Sequence, residues 1–271
     1  MRKPVTRFTV ATGTTNRFGR SSLGHGFTVS NSNARIALPP LAALAQTSAI
    51  EAPKGSNLGL NSDRLRSSMV QRLRNQGIQD ERVLDAMMAV PRHLFMDEGL
   101  ASRAYEDAAL PIGYGQTISQ PWVVARMISV ACENRVPAKV LEVGAGCGYQ
   151  AAVLAQFVKE VHAIERIRGL YELARYHLRA LKLISRVRLS FGDGMLGLPG
   201  VAPFDAIIVA AAGIKIPQAL LEQLAIGGRL IAPEGTSAQR LILIERTGAA
   251  SWRRDELESV RFVPLRAGTQ S

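Results

Sequence analysis

Two kinds of hydrophobic pattern follow one another along the chain. Before residue 136, apolar positions recur at helical spacing. Those between Leu65 and Leu73 predict a helix that ends at Gly77, and a second helix is predicted from Asp80 to a stop at Pro91. A segment rich in Pro and Gly, 110–121, predicts an irregular loop, and Trp122–Cys132 predicts a third helix. The first part of the chain is therefore expected to be helical and to surround one loop.

From Lys139 onward, short apolar strands alternate with amphipathic helices. The predicted strands are Val140–Val143, Glu160–Glu165, Val187–Phe191, Phe204–Ala210, Arg229–Ala232, Leu241–Glu245 and Val260–Leu265. The predicted helices are Gln150–Val158, Leu170–Leu181 and Pro217–Leu224, the last capped by Gly227-Gly228. This alternation indicates an α/β fold with a doubly wound, mostly parallel sheet of the Rossmann-like type and an antiparallel strand late in the chain.

Residues 1–60 show neither the helical nor the strand periodicity of apolar positions. They contain seven Lys or Arg residues and one acid, Glu51, so they carry +6 of the net charge of +11 and leave +5 for the rest. We predict a flexible basic extension at 1–60 and a folded domain at 61–271, with a helical lead-in at 61–136 and an α/β core at 137–271. An overextended start or an organellar transit peptide would have the same composition, whereas Pro39-Pro40 counts against a secretory signal.

Composition narrows the function classes. No apolar run reaches the roughly eighteen residues that a membrane span needs, so we expect no membrane partner. Much of the basic charge lies in the extension, which weakens the case for nucleic acid as an obligate partner. Two cysteines, Cys132 and Cys147, form neither a disulfide framework nor a metal-binding cluster. We expect a cytoplasmic monomer without a metal site.

A glycine-rich turn, Gly144-x-Gly146-x-Gly148, directly follows the strand Val140–Val143. Glycine permits a positive φ and lets a ligand approach the backbone, although three clustered glycines also occur in ordinary tight connections. A dinucleotide-binding GxGxxG motif would need a third glycine where this chain has Tyr149, which counts against NAD. The turn therefore predicts a nucleoside cofactor without a pyrophosphate.

Acidic residues close to the strand ends favour S-adenosylmethionine as that cofactor. Glu142 precedes the turn, where an anion would repel phosphates but suit amino and sulfonium groups. Glu165 closes the next strand, where its carboxylate would accept both ribose hydroxyls. Asp193-Gly194 follows the third strand, where Asp193 either accepts from the adenine amino group or forms a simple Asp-Gly turn.

The upstream segment Leu110-Pro111-Ile112-Gly113-Tyr114-Gly115-Gln116-Thr117-Ile118-Ser119-Gln120-Pro121 resembles the signature of the protein-L-isoaspartate (D-aspartate) O-methyltransferases. The similarity extends through the glycine turn and Gly192-Asp193-Gly194 to the closing segment 260–265, and it leaves out only residues 1 to about 60. Ala145 and Cys147 stand where that family often has a small hydroxyl residue.

The resemblance implies the acceptor, which is the free carboxylate of an L-isoaspartyl or D-aspartyl residue in a damaged protein or peptide. Its methyl ester would close to a succinimide and so begin repair. The resemblance also implies Ser119 as the active-site serine, with Thr117, Ile118 and Gln120 in the same substrate loop. The cofactor residues predicted from the turn and the strand ends are Glu142, Gly144, Gly146, Gly148, Glu165, Asp193 and Gly194.

This chemistry needs no general base, because a carboxylate is already ionised at neutral pH. Ser119 is therefore interpreted as a hydrogen-bond donor that orients the acceptor, since no paired base is apparent that would make it a nucleophile. Two alternatives stay open: a methyltransferase of the same fold that acts on a small molecule or RNA, and a non-enzymatic binding protein with a basic tail.

Overall fold

The computed structural model describes residues 58–271, with side chains from residue 62 on. The predicted extension at 1–60 lies almost entirely outside the described residues. The helices are α1 (Leu58–Asn75), α2 (Glu81–Ala89), α3 (Pro121–Ala131), α4 (Tyr149–Leu154), α5 (Arg168–Ala180) and α6 (Gln218–Glu222). The strands are β1 (Leu110–Gly113), β2 (Gln116–Ile118), β3 (Lys139–Val143), β4 (Glu160–Glu165), β5 (Val187–Phe191), β6 (Phe204–Val209), β7 (Leu224–Gly235), β8 (Gln239–Gly248) and β9 (Ser251–Val260).

The helical lead-in forms where its apolar spacing predicts it. On α1 the periodic residues Met69 and Leu73 are completely buried. The Asp80 carboxylate caps α2 by accepting a hydrogen bond from the backbone N–H of Arg82 at 3.1 Å. Pro91 lies just beyond the end of α2, where a helix seldom continues. Short 3₁₀ turns then lead the chain to the hairpin β1–β2.

Seven strands form one twisted sheet in the order β5-β4-β3-β6-β7-β8-β9. The pairs from β5 to β7 are parallel, and β7–β8 and β8–β9 are antiparallel. The strand order reverses between β3 and β6, because β4 and β5 lie on one side of β3 and β6 to β9 lie on the other. Ligands of doubly wound sheets bind outside the carboxyl ends of the strands at such a switch point. The predicted fold class is confirmed.

Both faces of the parallel part are covered, which explains why its strands are apolar at nearly every position. Val140, Val161 and Ile208 face the core beneath the helices α1 to α4. Leu141 and Ile207 belong to a second core on the opposite face, where α6 supplies Leu220. Among the described residues, no helix is long and apolar enough to cross a membrane.

The segment 110–121, predicted as irregular, contains a small antiparallel hairpin. Strands β1 and β2 pair Leu110 with Ile118 and Pro111 with Thr117. The turn between them includes Tyr114 and Gly115, both with positive φ. Strands of four and three residues carry too few alternating positions to give a strand pattern in the sequence.

The predicted last strand, Val260–Leu265, is wrong. The strand that completes the sheet is β9, which ends at Val260, and the apolar segment after it makes only the isolated bridge between Ala212 and Pro264. β9 lies at the edge of the sheet, and most of its charged side chains are exposed. An edge strand exposed to water needs no apolar alternation, so its sequence resembles a polar loop.

The predicted cap Gly227-Gly228 is also wrong. Helix α6 already ends at Glu222, with Gln223 as its C-cap, and both glycines lie inside β7. The register between β6 and β7 shifts between the pair Phe204–Leu224 and the pair Ala206–Arg229. Gly227 lies within this shift and has φ +76°. The glycines therefore accommodate a bulge in a strand.

Candidate active site

A cavity of about 370 Å³ lies outside the carboxyl ends of β3, β4 and β6, at the switch point of the sheet. That volume is within the usual range of small-molecule sites. The glycine turn and the ends of β3 and β4 form its base, and the hairpin β1–β2 and the C-terminal segment form its sides. Of the predicted site residues, those at this cavity are Thr117, Ile118, Ser119, Glu142, Gly144, Gly146, Glu165 and Gly194.

The glycine turn connects β3 to α4 through three residues in the left-handed region, Gly144, Gly146 and Gly148, at φ +89°, +56° and +89°. The N–H groups of Gly144 and Ala145 both donate to the Ile164 carbonyl, which fixes the turn to the end of β4. Gly144 and Gly146 line the cavity, whereas Gly148 is turned toward α5, with Ala174 as its nearest neighbour. Gly148 therefore contributes to packing beneath the site.

Glu142 is 1% exposed and lines the cavity. Its Oε1 accepts a hydrogen bond from Gln150 Nε2 at 3.0 Å, and its Oε2 has no partner among the described residues. Burial raises the pKa of Glu142 to about 8, and the neighbouring Glu165 acts in the same direction. The carboxyl expected from sequence as an anion is thus mostly protonated at neutral pH in the ligand-free protein. A cation placed beside Oε2 would favour the ionised form.

Glu165 lies at the end of β4 and is 4% exposed. Its two oxygens accept backbone N–H groups, Oε2 from Gly146 at 2.9 Å and Oε1 from Ile167 at 2.8 Å. Burial raises its pKa, while these hydrogen bonds partly oppose the rise. Each carboxylate oxygen retains a further acceptor position. The side chain is held rigidly at the cavity wall and can still accept a pair of hydroxyl groups.

Asp193 does not line this cavity. Its Oδ1 accepts from the N–H of Met195 at 2.8 Å, as in an Asp-Gly turn, and its Oδ2 accepts from the N–H of Gly268 at 2.7 Å. Asp193 thereby joins the turn after β5 to the C-terminal segment. Its neighbour Gly194 does line the cavity, where an added Cβ would come within 2.5 Å of Val143 Cγ1.

A second cavity, of about 360 Å³, adjoins the first. Four residues line both: Thr117, Ser119, Ala210 and Val263. Gln120 lines only the second cavity, together with the segment from Ser259 to Phe262. Ser119 lies between β2 and α3 and is half-buried, and its hydroxyl makes no hydrogen bond to any described residue.

No histidine lines either cavity among the described residues. His93 is hydrogen-bonded to the Tyr105 hydroxyl, His162 to Glu160 and His177 to the Cys147 carbonyl. Burial lowers the pKa values of His93 and His177. Ser119 therefore has no paired base among the described residues, and its hydroxyl is available as a donor.

Several residues at the first cavity were not among the predicted site residues. Tyr114 and Gln116 reach it from the hairpin, and Arg266 and Gln270 reach it from the C-terminal segment. Gln270 is held there because its N–H donates to the Arg166 carbonyl at 2.8 Å and its carbonyl accepts from the N–H of Arg168. Tyr114 and Gln116 belong to the segment 110–121 that carries the family resemblance, whereas Arg266 and Gln270 had no signal in the sequence.

These residues fit S-adenosylmethionine. The turn provides backbone without side chains at Gly144 and Gly146, and the unpartnered Glu142 Oε2 provides an acceptor for a cationic group. Glu165 provides a buried carboxylate for hydroxyl groups. No group of three or more potential metal ligands occurs in the described part of the chain. Fold and site together define a Rossmann-like S-adenosylmethionine-dependent methyltransferase.

The sequence model of the protein-L-isoaspartate(D-aspartate) O-methyltransferase family matches residues 64–270, and the chain belongs to this family. It is 73% identical to a protein-L-isoaspartate O-methyltransferase of Bordetella petrii over the whole of both chains. It is 76% identical to that of Bordetella parapertussis over 92% of this chain and 95% of the other.

A solved structure entitled protein-L-isoaspartate O-methyltransferase aligns with a TM-score of 0.68 at 27% identity, over 76% of this chain and 67% of the other. A second, a putative enzyme of this kind from Plasmodium falciparum in complex with S-adenosyl-L-homocysteine, aligns with a TM-score of 0.65 at 26% identity, over 74% and 98%.

Proposed function

We propose that this enzyme methylates the free carboxylate of L-isoaspartyl and D-aspartyl residues in damaged proteins and peptides. In this proposal the first cavity holds S-adenosylmethionine and the second receives the acceptor residue. Outside the enzyme, the amide nitrogen of the following residue then attacks the ester carbonyl and displaces methanol, which closes a succinimide. Hydrolysis of the succinimide returns part of the material to normal aspartate.

The observation that carries the proposal is the position of Ser119 on the boundary of the two cavities. An acceptor in one cavity and a methyl donor in the other would meet beside its hydroxyl. That hydroxyl has no partner among the described residues, so it can donate to one oxygen of an incoming carboxylate.

S-adenosylmethionine supplies an electrophilic methyl group on a sulfonium when it is bound. The acceptor carboxylate is already ionised, so the residues of this chain act by position and by exclusion of water. Ser119 donates to one carboxylate oxygen and leaves the other free to attack. Thr117, Ile118 and Gln120 shape the loop that carries Ser119.

The remaining residues hold the cofactor. Glu165 accepts the two ribose hydroxyls, and Glu142 accepts a cationic group of the methionyl part. Gly144, Gly146 and Gly194 keep the wall free of side chains. Asp193 acts indirectly, because it fixes the C-terminal segment that carries Gln270.

A paired-peptide assay tests the proposed function. The protein is incubated with radiolabelled S-adenosylmethionine and an isoaspartyl peptide, beside its twin with normal aspartate at the same position. We expect base-labile methyl ester on the isoaspartyl peptide only. Equal labelling of the two peptides, or labelling of neither, would contradict the proposal.

An acceptor among small molecules or RNA is disfavoured by membership of this family. A purely binding role is disfavoured by the three retained acids at the strand ends.

As further parts of the proposal, the enzyme acts as a monomer in the cytoplasm and needs no nucleic acid. The two buried, unpaired cysteines support a reducing compartment. Size-exclusion chromatography with light scattering tests the monomer.

A further inference from the structure

The second cavity has one charged residue in its wall among the described residues, Arg261. The other lining residues are neutral, and they include Trp122 and Phe262. Arg261 is exposed and follows directly after β9. It thus places a single positive charge at the mouth of a largely uncharged recess.

The charge of Arg261 is not neutralised by this chain. No ion pair or hydrogen bond joins its side chain to any described residue. Three arginines on the adjoining strands are ion-paired, at 2.9 Å for Arg240 with Glu256, 3.0 Å for Arg253 with Glu245, and 2.8 Å for Arg254 with Glu234. A fourth, Arg246, donates hydrogen bonds to backbone carbonyls. A cation left unpaired within such a set of ion pairs is available to an external anion.

The backbone on both sides of Arg261 is fixed, because the residue before it, Val260, pairs with Gln239 of β8 in the sheet. The N–H of Phe262 donates to Gln239 Oε1 at 2.7 Å, and its carbonyl accepts from Gln239 Nε2 at 3.1 Å. The Val263 carbonyl accepts from the N–H of Ala212 at 2.8 Å. Arg261 therefore stays at the mouth of the cavity, while its side chain can move toward a bound peptide.

We propose that Arg261 determines acceptor specificity by pairing with an acidic side chain close in sequence to the isoaspartyl residue. This rests on the proposed function, since it takes the second cavity as the acceptor site. Acidic neighbours would strengthen peptide binding and basic neighbours would weaken it. The effect would fall on binding, because Arg261 acts on a part of the peptide that does not react.

The expected size follows from the exposure of the guanidinium. Pairs between exposed charges are weak and are screened by salt, so we expect a difference in KM of about two- to five-fold. The effect is expected to shrink as ionic strength rises. Turnover at saturating peptide should change little.

The test uses peptides with one isoaspartyl residue. In each peptide one of the two flanking positions, directly before or directly after that residue, is Glu, Gln or Lys. KM and kcat are measured at low and at high salt for the wild type and for Arg261→Gln. We expect at least one position at which Glu lowers and Lys raises KM relative to Gln, and we expect Arg261→Gln to remove that difference. Arg64→Gln is the matched control, because Arg64 is exposed on α1 and also has no ion pair.

Three results would overturn the inference. An unchanged preference in Arg261→Gln would show that another group selects the neighbours. A KM raised equally for every peptide would mean that Arg261 binds the reacting carboxylate itself. Isoaspartyl labelling by the wild type with no dependence on neighbouring charge would overturn this inference alone, whereas absence of labelling on all peptides would overturn the proposed function as well. Unfolding midpoint and S-adenosylmethionine affinity of Arg261→Gln verify that the fold is intact.

Discussion

Glu142 is subject to two opposing requirements. Its burial favours the neutral carboxyl and raises its pKa to about 8. A cationic ligand beside its unpartnered Oε2 would favour the carboxylate. The free protein and the loaded enzyme should therefore differ in the protonation of this one residue, and cofactor binding should release a proton near neutral pH.

The substitution Glu142→Gln tests the cost of that burial. The pKa is raised from its ordinary value of 4.5, so the folded state binds the proton more tightly than the unfolded chain. The stabilising contribution is full below pH 4.5 and is lost as pH rises through about 8. In urea unfolding of the ligand-free protein at pH 9, we expect the variant to be more stable than wild type by at least about 1 kcal/mol. The gain should shrink as pH falls and vanish only below pH 4.5, and equal gains at pH 9 and pH 4 would contradict this account.

Glu165→Ala should weaken S-adenosylmethionine binding by about 2 kcal/mol or more, because a buried carboxylate that accepts two hydroxyls is lost. Isothermal titration calorimetry measures the change. Glu172→Ala is a suitable control, since Glu172 is an exposed acid on α5. An unchanged affinity in Glu165→Ala would refute the assignment of the ribose to this residue.

Ser119→Ala should lower kcat/KM for an isoaspartyl peptide by roughly ten- to one-hundred-fold, as expected for one hydrogen bond to a charged group. Its S-adenosylmethionine affinity should stay within about two-fold of wild type, because the hydroxyl contacts only the acceptor. Ser67→Ala, at an exposed site on α1, should leave both quantities unchanged. Loss of cofactor binding in Ser119→Ala would mean that Ser119 holds the loop and not the acceptor.

At the scale of elements, the cofactor turn depends on how closely α4 approaches α5. Gly148 has φ +89°, and an added Cβ would lie 3.3 Å from Ala174 Cβ and 3.4 Å from its Cα. Gly148→Ala should therefore destabilise the protein by about 1–2 kcal/mol, through backbone strain and contact with α5. Thermal unfolding measures this loss. Gly200→Ala, where no atom lies within 4 Å and φ is not left-handed, should have no comparable effect.

The sequence predicted well the elements that bury one face or both faces. Strand β6 is apolar because both faces of the sheet are covered, and α1 shows its helical period because one side packs on the core. Strand β9 and the hairpin β1–β2 lacked such a signal, one because it is an exposed edge and the other because it is short. Burial produces the regular spacing of apolar residues, so elements with little buried surface cannot be recognised from the sequence.

The same limit applies to the site. Residues in the turn and at the ends of the strands, such as Glu142 in β3 and Glu165 at the end of β4, were predictable because each adjoins a local turn or strand pattern. Arg266 and Gln270 reach the cavity from a distant part of the chain. Their position depends on packing and on backbone contacts such as Gln270 to Arg166, which no local pattern encodes.

At the scale of the molecule, all residues of both cavities lie between positions 109 and 270. The family match covers nearly the same region, 64–270. We therefore predict that a chain beginning at Pro53 retains kcat and KM within about two-fold. Removing residues 1–52 takes away six cations and one acid, so binding to a cation-exchange column should weaken. A loss of methyl transfer would contradict the predicted division of the chain near residue 60.

The half-buried position of Ser119, in a cavity wall that it shares with the segment 259–263, has a consequence for repair. A damaged residue inside a folded protein can reach that hydroxyl only after its own segment has separated from its neighbours. The measured rate on a folded substrate therefore contains the opening equilibrium of that substrate. In this way the enzyme would act first on the least stable regions of each damaged protein. A ligand that stabilises the substrate protein would slow the methylation of its isoaspartyl residues.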